Sequence, residues 1–234
     1  EDNERQAKDL DNQYSTFLRD KTMGENGFYS QKGENAINAA PQFQEDIEKF
    51  RQDLLAKAPN RHVRNMFDLS SQSRLSTALD KAQSYVMQER QVAKLATAET
   101  RIYEATQDAA AAYNDPKVLA QSQAIIEHEV SAIAEINGWS DEITNSKIST
   151  ERTKMYSSAI TAAIKNNQLS IARDLFEKVK TSLDGEEQAN LSKLLTEQNL
   201  LGKSQKAADE IIASTGDYTQ QLEKARTISD PLER

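Results

Sequence analysis

A chain of 234 residues allows one or two domains, yet only 37% of its residues are hydrophobic and 6% aromatic, with a mean hydropathy of −0.75, so the core is thin relative to the surface. The net charge of −8 is evenly spread, with 15 basic and 19 acidic side chains in residues 1–115 and 14 and 18 in residues 116–234; without clustered Lys and Arg, strong direct nucleic-acid binding is not expected. Zero cysteines exclude a disulfide scaffold, a thiol nucleophile and Cys-based zinc sites, and no run reaches the roughly 18 apolar residues a membrane helix needs, so this segment is not expected to insert into a membrane.

The fold class is all-α. Alanine supplies much of the apolar content, which predicts an elongated bundle of long antiparallel helices rather than a compact enzyme with a deep pocket. The charged opening Glu1-Asp-Asn-Glu-Arg is no signal peptide, there is no initiator Met, and the closing Asp230-Pro231 pair would cap and open a further helix; together these predict a fragment of a longer chain.

In residues 2–21, Ala7, Leu10, Tyr14, Phe17 and Leu18 recur at spacings of three and four, the stripe of an amphipathic helix. Three of the seven glycines then fall within ten residues, at Gly24, Gly27 and Gly33, around Phe28 and Tyr29. Glycine reaches positive φ without steric cost, so a sharp corner is expected, with Gly27 or Gly33 at positive φ and both rings packed on the following helices. A phosphate loop is the competing reading, but the glycine spacing is wrong for one and no hydroxyl follows Lys32.

A second helix is expected through Ala36, Ile37, Ala40, Phe43, Ile47, Phe50, Leu54 and Leu55, with Pro41 as a first-turn or kink proline and Pro59-Asn60 as the stop. From Arg61 to Asn114 there is neither glycine nor proline. Ser70-Ser71-Gln72-Ser73 is a candidate break in that run. Beyond it, Leu75, Leu79, Ala82, Val86, Glu89, Ala93, Ala96, Thr100 and Tyr103 fall at heptad-like spacing, with a polar residue in the seam.

Asn114-Asp115-Pro116 stops one helix and starts the next, which places a domain boundary between 1–115 and 116–234. The restarted stripe is Leu119, Ile125 or Ile126, Val130, Ile133 and Ile136, closed by Gly138 in the left-handed position. Trp139, the sole tryptophan, reads as a packing anchor between helices. Met155, Tyr156, Ala159, Ile160, Ala163 and Ile164 face inward on the next helix. A turn at Asn166-Asn167 follows, then a helix through Ile171, Ala172, Leu175, Phe176 and Val179, and another beginning with Ala189, Leu191, Leu194 and Leu195. The segment around Ala172 resembles a tetratricopeptide-like helical hairpin, and Ser214-Thr215-Gly216-Asp217-Tyr218 is a weaker second instance.

Catalytic chemistry has no foothold in the sequence. His62 and His128 are the only histidines, adjacent positions in Glu127-His128-Glu129 point about 100° apart on a helix, and the carboxylates are too many and too scattered to select a pair. No catalytic residue, metal or cofactor is expected; the candidate structural or interaction residues are Gly27, Phe28, Tyr29, Gly33 and Trp139.

The segment Gly27-Phe-Tyr-Ser-Gln-Lys-Gly-Glu-Asn-Ala resembles a recurrent stretch of large internal virion, DNA-ejection or tail-associated proteins of tailed bacteriophages and prophages, in which such a stretch precedes a long amphipathic helix. Asn114-Asp-Pro, the hairpin near Ala172 and Ile228-Ser-Asp-Pro-Leu-Glu-Arg agree with that pattern. The resemblance implies a non-enzymatic module of a longer virion polypeptide, inside the particle or associated with its tail and delivered into the bacterial envelope on infection, that assembles with itself or other virion proteins as the genome passes through the envelope. It carries over no peptidoglycan-cleaving glutamate. A cellular helical-repeat adaptor that binds a partner protein is the alternative reading, and part of a peptidoglycan-hydrolase-containing virion protein a third.

Overall fold

A computed structural model describes residues 1–214 and 217–228, apart from the side chains of Ser214 and Tyr218. Among the described residues there are eight α-helices and no strand. The chain divides into two compact units, Glu1–Thr97 and Ala98–Arg234.

The first unit is a three-helix bundle. Helix α1 (Asp2–Met23) runs up, α2 (Glu34–Ala56) runs down, and α3 (Arg61–Ala111) runs up again. Their directions follow from paired contacts. Lys21 meets Asp46 at 2.7 Å and Phe17 stacks on Phe50 at 3.9 Å, which sets α1 against α2. Asn3 meets Asn60 and Asp11 meets Arg74, which sets α1 alongside α3 in parallel. Ala7, Leu10 and Tyr14 bury the face expected for α1, and close on Leu54, Leu55, Val63 and Phe67.

The Ser70–Ser73 cluster does not interrupt α3. Ser70 turns its hydroxyl back onto the Phe67 carbonyl, and the fully buried Ser71 accepts from Arg51 Nε at 3.1 Å. Serines whose hydroxyls bond the preceding turn or a neighbouring helix are tolerated inside a helix. Arg51, only 4% exposed, also pairs with the Asp68 carboxylate, so its charge is bonded where a bare one would be costly. Pro41 lies inside α2 rather than in its first turn, on the exposed side.

The heptad seam of α3 runs true only over its first half. Leu75, Ala82 and Glu89 are buried at seven-residue spacing, no residue between Glu89 and Ala98 is buried, and burial resumes at Ala98, Ile102, Ala105 and Ala109. Ala96, Thr100 and Tyr103, expected in the seam, are exposed. A straight helix drifts about 20° per heptad against a seven-residue repeat, so a seam that is not held by supercoiling rotates off its face.

Tyr14 carries an unspent group: its hydroxyl is buried with no hydrogen-bond partner, and burial pushes its pKa up to about 12. Tyr14→Phe removes a desolvated, unpaired hydroxyl while keeping the ring against Phe67. The variant should be more stable by about 1 kcal/mol, read as a raised midpoint in urea.

The second unit holds the end of α3, α4 (Pro116–Asn137), α5 (Asp141–Lys165), α6 (Leu169–Val179), α7 (Gly185–Ser214) and α8 (Tyr218–Arg226). Asp115 caps α4 through the Lys117 N–H with Pro116 at the first helical position, and Ser140 caps α5. Gly138 takes φ +65°, ψ +37° and closes α4 in the left-handed conformation. Asn167 turns the chain between α5 and α6 at φ +58°. Ala159, Ile160 and Ala163 of α5 and Ala172, Leu175, Phe176 and Val179 of α6 are buried, and the two helices pack on each other. Leu191 and Leu195 are buried on α7 as expected, whereas Ala189 is exposed. The break at Asn114-Asp115-Pro116 separates α3 from α4, while the division into compact units falls inside α3. The weaker hairpin at Ser214–Tyr218 lies partly, and the Asp230-Pro231 helix start wholly, outside the described residues.

Candidate functional site

The glycine segment is a corner tied down from three sides. Gly24 ends α1, and its N–H donates to the Asp20 carbonyl. Gly27 is buried at ordinary φ, −68°, and its need for glycine is steric: a Cβ there would meet Thr22 O at 2.5 Å, Thr22 C at 2.7 Å and Gly24 N at 2.8 Å. Gly33 has open space around it but sits at φ +54°, ψ −130°, the dihedrals of the second residue of a type II′ turn, closed by the Asn35 N–H to the Lys32 carbonyl at 3.1 Å. Gly24 is crowded as well, since a Cβ there would meet the Asp20 carbonyl oxygen at 2.4 Å, so glycine is required at 24 and 27 for steric reasons and at 33 for its dihedrals.

Phe28 and Tyr29 occupy a short 3₁₀ turn, Phe28–Ser30, between the two glycines. Phe28 is 4% exposed and stacks on Phe43 of α2 at 4.6 Å, with the Tyr85 ring of α3 edge-on at 5.7 Å. Tyr29 is half-buried and meets Tyr85 edge-on at 5.0 Å; burial, and then Tyr85, raises its pKa.

Two polar residues of α3 complete the corner. The Tyr85 hydroxyl lies 2.7 Å from the Gln31 carbonyl and 3.0 Å from that of Tyr29, and it accepts from Lys32 Nζ at 2.7 Å. The Glu89 carboxylate accepts from the Gly33 N–H at 2.7 Å and pairs with Lys32 at 3.4 Å. The polar seam residue at position 89 is therefore a cap: it brings negative charge to the start of α2, where the helix dipole favours it. The Gly33 N–H, and after it Lys32, hold Glu89 below the usual 4.5. A carboxylate with a depressed folded pKa stabilises above its unfolded value and loses that contribution as pH falls through the folded one. Glu89→Gln should therefore be less stable than the parent chain at pH 7, and the gap should narrow below pH 4.5. Thermal melts of both chains at pH 7 and pH 3.5 check this, and a gap that stays constant refutes the cap.

These contacts occupy the polar groups that Tyr85, Glu89 and Lys32 bring to the corner. The Gly33 N–H is bonded to Glu89, the Gly27, Ser30, Gln31 and Asn35 N–H groups donate to carbonyls of the same segment, and the Lys32 ammonium already has two partners. Neither Tyr85 nor Glu89 stands out in the sequence as part of the corner; the seam spacing and the lone acid within it were the available signals.

Trp139 stands apart in the second unit. Its N–H-bearing backbone closes α4 on the Ala134 carbonyl at 3.0 Å, and its half-buried ring lies under Lys147 Nζ at 5.9 Å. The ring borders an open groove of about 420 Å³ together with Ile102, Tyr103, Val130, Ile133 and Lys154. Tyr103 is 64% exposed at its edge. The buried Glu129 pairs with Arg101 at 2.6 Å, an ion pair between α3 and α4, and the exposed His128 Nδ1 lies 3.3 Å from the same carboxylate. Among the described residues no three His, Asp or Glu side chains are placed to hold a metal, and no helix is long and apolar enough to cross a membrane. No protein-family model, curated protein or solved structure matches this chain.

Proposed function

We propose that the chain is a non-enzymatic assembly module of a tailed-phage internal virion or DNA-ejection protein, packing against itself or other virion proteins during genome delivery. The resemblance at residues 27–36 supplies the family, and one observation supports the assembly role: Trp139 and the 64%-exposed Tyr103 line one open groove. Aromatic side chains at the lip of a groove are the composition of a binding hot spot, because a large rigid ring loses little entropy when covered. On this reading the α5–α6 hairpin acts as a tetratricopeptide-like unit, and the virion interior or tail is the place of action.

The adaptor reading has its own support in a groove of about 370 Å³ bounded by Tyr113, Leu119, Tyr156, Ile171 and Leu175, where a partner peptide would lie across successive helices. Sedimentation equilibrium separates the two. The assembly reading expects a homo-oligomer that Tyr103→Ser shifts to monomer by at least tenfold in dissociation constant, about 1.4 kcal/mol. A parent chain that stays monomeric at high micromolar concentration, and captures a host peptide instead, overturns it in favour of the adaptor. Release of soluble fragments from purified peptidoglycan would refute the non-enzymatic reading.

A further inference from the structure

A second groove, of about 610 Å³, runs between α1 and α3 on the first unit. Its charge is one-sided. Arg19, Arg74 and Lys81 line it and no carboxylate does; Arg74 is held in a two-pronged pair by Asp11, at 2.9 and 2.7 Å, whereas Arg19 and Lys81 are exposed and have no acidic partner among the described residues. In a chain of net charge −8, two unpaired cations across one groove are a local reversal of sign.

Much of the remaining lining is apolar or already bonded. Leu18, Tyr29 and Ala78 form the floor, and Met23, 72% exposed, stands at its end. Three of the groove's hydroxyls have their protons committed to their own helices, Thr22 to Leu18 O, Ser70 to Phe67 O and Thr77 to Ser73 O, while Ser15 and Ser73 add polar positions to the walls. A small oxyanion would find two exposed, flexible cations on opposite walls and no buried charged donor, which is a poor phosphate site. A ligand with an apolar stripe and flanking carboxylates would match both the floor and the rims.

We infer that this groove docks an acidic amphipathic helix of a partner protein. The α3 wall from Ser70 to Lys81 is about 16 Å long at 1.5 Å per residue, enough for three turns of helix. Two parallel helices present the continuous trough into which the side chains of a third pack. Apolar residues at positions i, i+3, i+4 and i+7 of the incoming helix lie over Leu18 and Met23, and its Glu or Asp side chains reach Arg19 and Lys81. The inference goes beyond the assembly reading and stands on different residues: Tyr103→Ser tests the second unit and leaves this groove untouched.

Fluorescence anisotropy with synthetic 14-residue helical peptides tests it on the full chain. One labelled peptide carries a leucine stripe flanked by Glu, a second the same stripe flanked by Lys, and a third the Glu flanks with the leucines replaced by serine. The Glu–Leu peptide should bind the parent chain and the other two should not. Arg19→Glu with Lys81→Glu should weaken that binding by at least tenfold and flatten its salt dependence, and Met23→Ser should weaken it several-fold. All three side chains are exposed, so circular dichroism and the urea midpoint should stay at parent values. Equal binding of the Glu and Lys peptides, indifference to the charge reversal, or absence of binding by the Glu–Leu peptide overturns the inference. Displacement by millimolar inorganic phosphate would mark a small-anion site and overturn it equally, as would vesicle or duplex DNA binding lost in the charge-reversed variant when no peptide binds.

Discussion

Phe28→Ala should destabilise the first unit by about 3–5 kcal/mol, the cost of removing a buried aromatic ring and leaving its space open. The ring is 4% exposed and closed in by Phe43, Tyr85 and Tyr29, three side chains from three segments, so no single neighbour can relax into the gap. Phe28→Leu keeps most of the volume and should cost less than about 1.5 kcal/mol. Trp139 belongs to the second unit, so its fluorescence is the wrong probe. Amide hydrogen exchange along α2, at Phe43 and Ile47, reports the first unit directly. Unchanged protection there in Phe28→Ala would refute the corner as a packing device.

Gly27→Ala should cost about 1–3 kcal/mol, the range for forcing extra volume into a packed site. The added methyl would sit 2.5–2.8 Å from three backbone atoms, and backbone cannot swing aside as the tip of a side chain can. Relief requires the last turn of α1 to shift, and with it the approach of Phe28. Gly33→Ala provides the contrast: its Cβ meets nothing within 4 Å, so the loss comes wholly from φ +54°. Gly33→Asn should not rescue, because ψ −130° is outside the left-handed region that asparagine tolerates. Equal stability of Gly27→Ala and the parent chain, by the same exchange measurement, would refute the steric account.

Most helices were legible because their apolar residues recur at three and four and their ends carry strong punctuation. Asp115-Pro116, Gly138 and Ser140 act through the residue's own geometry or a bond to the next turn, so neighbouring sequence suffices to read them. The Ser70–Ser73 cluster misleads for the opposite reason. Ser70 and Ser71 turn their hydroxyls onto the carbonyls of Phe67 and Asp68, and the buried Ser71 also takes a bond from Arg51, twenty residues upstream on another helix. The seam of α3 is similar: period alone cannot say which of several nearby stripes a long helix buries, since that depends on the helices laid against it.

The glycine corner divides along the same line. From the sequence alone come the helical class of the chain, the existence of the corner, and glycine's freedom to make it, because backbone sterics and apolar period are local properties. Only tertiary structure decided which glycine is strained and which is crowded, that Glu89 and Tyr85 reach back more than fifty residues to hold the loop, and that Arg19 and Lys81 face one groove. Those facts depend on the register between helices, which is set by how side chains from distant segments fill one another's space.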